Sequence, residues 1–105
     1  MDIQIKRGLL EACVLTALAS GDSYGYKIIR DISPYIEISE STLYPILRRL
    51  EAGKFVEARS VEHNGRLRKY YRITDDGHRR IGEFKEEWKE VMRVVDFIMG
   101  GSENE

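Results

Sequence analysis

The chain has a single cysteine, Cys13, so no disulfide can close within it and no metal cluster can be built from cysteines alone. One lone thiol fits a reducing compartment. There are only two histidines, His63 and His78, and no ligand-like spacing relates them to each other or to Cys13. A structural zinc site needs four ligands, so no metal and no cofactor are expected. No serine, threonine or cysteine stands in a motif that would activate a nucleophile, which points away from an enzyme. No apolar run reaches the ~18 residues of a membrane span, so no membrane partner is expected. Lys6 and Arg7 do precede an apolar stretch, as in an export signal, but Glu11 interrupts it and the helical pattern continues past it. The expected location is the cytoplasm.

Hydrophobic residues make up 42 % of the 105, too many for a disordered chain and enough for one small domain. A core this thin is marginal alone, so a second copy is an expected partner. Charge is plentiful but segregated. The net charge is −1, yet residues 41–74 hold eight basic and three acidic residues, a local +5. Residues 75–105 hold five basic and nine acidic ones, a local −4. A near-neutral total therefore does not exclude a polyanion, because the local field is positive mid-chain.

Helical spacing runs through residues 5–19, with a band wide enough to be covered on more than one side. Gly21 ends that helix, and a second spans roughly 24–33 with Tyr24, Ile28 and Ile32 inward, stopped by Pro34. Ser39 or Ser41 caps a third helix, whose narrow stripe of Leu43, Ile46, Leu47 and Leu50 lasts until Gly53. Its other side carries Ser41, Thr42, Tyr44, Arg48 and Arg49, a polar and basic face. Two strand-like runs, 55–61 and 68–73, flank Asn64-Gly65, a hairpin signal. Within the second run Tyr71 and Ile73 are expected inward and Tyr70 outward. Thr74 caps a final helix that begins at Asp75 and ends at Gly100-Gly101. The expected fold is mainly α with a small β-hairpin: a winged helix-turn-helix over 1–74, a long dimerisation helix over 75–100 and a disordered tail over 101–105.

Three segments carry a resemblance: GDSYGYKIIRDI (21–32), ESTLYPILRRLEAGKFVEA (40–58) and RKYYRITDDG (68–77). Together they resemble the PadR-like transcriptional repressors, in the smaller form with one C-terminal helix. The resemblance implies a homodimeric repressor that binds an inverted-repeat operator in double-stranded DNA and is released by a small apolar or aromatic effector. It places Ser41, Thr42 and Tyr44 on the recognition helix, with Arg48 and Arg49 following them. It places His63, Arg66, Arg68 and Lys69 on the wing. Gly25 and Tyr26 open the second helix, where amides and a hydroxyl suit a phosphate, and Tyr26 and Lys27 are the expected contacts.

The last helix asks for a partner of its own. Ile81, Phe84, Trp88, Val91, Val95 and Ile98 recur at three and four, a seam longer than a small domain can cover. The expected dimer interface joins these residues to Leu10 and Val14 of the first helix. Trp88, with Leu15, Phe84 and Met92, is the expected wall of an apolar effector cavity between the two subunits, since an indole and a flexible thioether suit flat ligands. A competing reading of the same fold is a winged-helix module that binds protein rather than DNA.

Overall fold

The computed structural model describes residues 1–101. Most of the expected tail, residues 102–105, lies outside the described residues. The elements in chain order are α1 (Ile3–Ala19), β1 (Ser23–Tyr24), α2 (Gly25–Ile32), α3 (Glu40–Ala52), β2 (Val56–His63), β3 (Arg66–Ile73) and α4 (Asp75–Ile98). Helix α1 starts two residues earlier than its apolar spacing suggests. The Asp2 carboxylate accepts from the amides of Gln4 (2.9 Å) and Ile5, and so satisfies donors at the helix start.

The core lies where α1, α2 and α3 meet the inner face of the sheet. Leu15 and Leu18 of α1, Ile28 of α2, Leu43 and Leu47 of α3, and Val56 of β2 are all completely buried there. Leu10 and Val14 belong to the same core. This corrects their expected place in the dimer interface: the chain's own core buries both side chains almost completely.

The sheet has three antiparallel strands in the order β1-β3-β2. Pairing in the hairpin runs out to His63 opposite Arg66, leaving only Asn64 and Gly65 as the turn. Both have positive φ, 53° and 79°, the geometry in which a two-residue turn matches strand twist. The wing is therefore a full ladder of eight residues per strand, longer than the runs at 55–61 and 68–73 suggest. Strand β1 was not foreseen. Tyr24 is extended rather than helical and pairs with Tyr70, while Ser23 pairs with Tyr71.

Helix α4 is fastened to the end of the hairpin. The Thr74 hydroxyl accepts from the Gly77 amide (3.1 Å) and lies 2.8 Å from the Lys54 carbonyl, while the Thr74 amide donates to the Phe55 carbonyl. Gly77 is buried against that same carbonyl, and a Cβ there would collide with it. From this anchor α4 runs along α1, with Ile81, Phe84 and Trp88 half-buried. From Val91 onward every residue is exposed, and the molecule measures 62 × 26 × 21 Å. Among the described residues, no helix is long and apolar enough to cross a membrane.

Candidate nucleic-acid interface

A cleft of about 710 Å³ opens between the start of α2, helix α3 and the wing. Tyr26 and Tyr44 line it from the helices, and His63, Arg66, Arg68 and Lys69 line it from the hairpin. Six of the residues expected at a DNA surface are thus brought to one concavity. Gly25, expected beside Tyr26 at the start of α2, lines it as well, and Tyr24, Glu40 and Leu67 join it without having been foreseen.

Close packing sets its shape. A Cβ on Gly25 would strike the Tyr44 hydroxyl, so the bare glycine lets α3 approach the start of α2. Tyr24 meets Tyr70 edge-on, with ring centroids 5.4 Å apart. The Arg68 guanidinium stacks 4.1 Å over the Tyr24 ring, and Arg59 stands 5.7 Å over Tyr70. Such stacking fixes a flexible cation without neutralising it. Tyr26, by contrast, is 65 % exposed, with its hydroxyl free to meet a phosphate.

Ion pairs distinguish the committed cations from the free ones. Arg59 donates to Asp22 at 2.8 Å and Arg72 lies 3.5 Å from the same carboxylate. The Arg59 hydrogen bond, helped by both positive charges, holds the Asp22 carboxyl below its usual range. These contacts tie the turn before β1 to both wing strands. Lys27 is drawn along α2 to Asp31 (2.8 Å) and does not line the cleft, unlike its neighbour Tyr26. Lys69 reaches only to 3.9 Å from Glu51 and remains largely exposed, as do Arg66 and Arg48.

The polar face of α3 is not one face. Tyr44 turns to the wing, whereas Thr42 and Arg49 turn to the opposite flank, beside Pro45 and α1. Arg49 lies 3.4 Å from Glu11 there, so the expectation that Arg48 and Arg49 share a side is corrected. Successive helical residues diverge by about 100°, and this pair straddles the crest. Ser41 stands exposed at the helix start, with its hydroxyl 3.0 Å from that of Ser39.

Away from this surface, Leu15, Phe84 and Trp88 meet at a pocket of about 120 Å³ between α1 and α4 of the same chain, which needs no second subunit to form. Phe84 and Trp88 are tilted rings with centroids 5.7 Å apart. Met92 lies outside that pocket, 56 % exposed. Among the described residues no three His, Cys, Asp or Glu side chains gather as metal ligands would.

Comparison with known proteins decides the family. The model of the transcriptional regulator PadR-like family matches residues 14–83, two-thirds of the chain. This chain belongs to the PadR-like family of transcriptional regulators. The PadR-like chain is 38 % identical over 104 residues to an uncharacterized protein, protein X, of Lysinibacillus sphaericus, covering 94 % of this chain and 95 % of that one. A transcriptional regulator from Clostridium thermocellum has the same fold, with a TM-score of 0.82 at 33 % identity, covering 89 % of this chain and 95 % of its own. Bacillus subtilis PadR in complex with operator DNA is similar in fold alone. Its TM-score is 0.68 at 23 % identity, over 72 % of this chain and 46 % of that one.

Proposed function

We propose that this PadR-like protein is a homodimeric repressor that binds an inverted-repeat operator through α3 and the wing. The observation that carries the reading is the cleft in which Tyr26, Tyr44, His63, Arg66, Arg68 and Lys69 converge. Hydroxyls, an imidazole and three cations in one concavity suit phosphates and base edges, and no apolar ligand would choose so charged a lining. The Bacillus subtilis PadR bound to operator DNA supports the same use of the fold. Ser41 and Arg48 on the exposed side of α3 are assigned to the major groove, Thr42 to its flank beside α1, and the wing to the adjoining backbone or minor groove.

The second subunit is assigned to α4. Beyond Trp88 its seam residues Val91, Val95 and Ile98 are exposed in the protomer, and Met92, Val94 and Phe97 widen the bare surface. Apolar area of this extent on a small protein marks an interface. Release by a small aromatic effector is assigned to the pocket at Trp88, where Leu15, Phe84 and the indole offer an apolar surface beside Glu11, Arg80 and Glu87. Ligands that quench Trp88 and weaken operator binding together are expected. Quenching without loss of DNA affinity would remove the switch from the reading.

The direct test is duplex binding at rising salt. Counterion release requires a steep linear fall of log affinity with log salt, and Arg66→Ala or Lys69→Ala should each flatten it by about one per subunit, about two per dimer. A flat response in the wild type would favour the protein-binding module instead.

A further inference from the structure

On the side of α3 away from the wing, a second groove of about 320 Å³ runs between α3 and the first turns of α1. Its floor is apolar, from Ile3, Leu10, Pro45 and Ile46. Its polar lining is Lys6, Arg7, Thr42 and Arg49, three cations and a hydroxyl with no acidic residue among them. Glu11, just beyond, is engaged with Arg49 and Arg80, at 3.4 and 3.8 Å. Among the described residues neither Lys6 nor Arg7 has an ion-pair partner, and Lys6 is half-buried in the groove rather than free in solvent.

We propose that this groove is a second phosphate-binding site, in which Lys6 and Arg7 hold the DNA backbone on the side of the recognition helix opposite the wing. The proposal rests on the DNA-binding reading above and extends its contact surface. A helix lying in a major groove about 12 Å wide has a phosphate strand on each side of it. The wing supplies Arg66, Arg68 and Lys69 to one side only. Without Lys6 and Arg7 the other strand would face Thr42 and an Arg49 already drawn towards Glu11. With them, α3 sits between two cationic walls. Contacts of this kind fix the register of the helix and carry no base preference.

The test is the double variant Lys6→Gln, Arg7→Gln, with Lys85→Gln, Lys89→Gln on α4 as a control of equal charge. With two such cations per protomer, the slope of log affinity against log salt should become shallower by about 2 to 4 per dimer. Affinity at 150 mM salt should fall about tenfold or more, with the order of preference among operator sequences unchanged. Thermal unfolding should not move, and the control variant should behave as wild type. Acetylation of Lys6 in the intact protein, read by mass spectrometry, should slow when duplex DNA is added. A wild-type slope and an unprotected Lys6, in a protein whose wing variants do flatten the slope, would overturn this site and leave the DNA-binding reading standing. Absence of salt-dependent binding in the wild type would overturn both.

Discussion

Gly25 and Gly77 both lack room for a Cβ, but the obstacles differ, and so do the consequences. At Gly77 the obstacle is the Phe55 carbonyl, part of the backbone that holds α4 to the hairpin. It cannot give way cheaply, so Gly77→Ala should lower unfolding free energy by about 1–3 kcal/mol in urea titration. At Gly25 the obstacle is the far end of Tyr44, which can swing aside. Gly25→Ala should therefore leave the melting temperature nearly unchanged while weakening DNA binding, because Tyr44 leaves its place in the cleft. Cys13 offers a third check. Burial raises its thiol pKa, so at pH 7.5 it stays protonated and should react with iodoacetamide more slowly in the folded protein than after unfolding. Equal rates in the two states would contradict its placement.

Among the elements, the helices were legible because a buried stripe repeats at three and four, and Leu43, Ile46, Leu47 and Leu50 are indeed all buried. The hairpin was legible from Asn64-Gly65. Strand β1 was not, since two residues show no period, and its existence depends on Tyr70 and Tyr71 arriving from almost fifty residues away. The flanks of α3 were illegible for a related reason. Helical geometry gives the angle between Arg48 and Arg49, but only the tertiary fold puts Glu11 beside one of them. The two arginines should accordingly differ: Arg48→Ala should relax base preference by about 1–3 kcal/mol, whereas Arg49→Ala should weaken binding with less effect on preference, as competition between related duplexes would reveal. The wing has its own brace in Asp22. Its folded pKa is depressed, so the stabilisation it gives is present above the ordinary value of 3.8 and fades as pH falls through the lower, folded value. Wild type and Asp22→Asn should differ in urea stability at pH 7 and converge as the pH is lowered past the folded value. Exposure of the pair keeps that difference small.

For the whole molecule, the sequence showed that α4 was too long for its own domain but not where the protomer's core ended. Leu10 and Val14 look no different along α1 from residues that could meet a partner, and only the packing of α2 and α3 beneath them assigns them inward. What remains bare is the far half of α4, from Val91 to Ile98. A charge set into that surface should separate the subunits. Val95→Lys is expected to sediment as a monomer at micromolar concentration and to lose most operator affinity while its fold persists. Whether two such surfaces read DNA about a two-fold axis is decided by sequencing the genomic fragments the wild-type protein retains at physiological salt. An enriched inverted repeat is expected, with half-sites about one helical turn apart, roughly 34–36 Å between centres. Retained fragments with no shared motif, or a motif without two-fold symmetry, would contradict it.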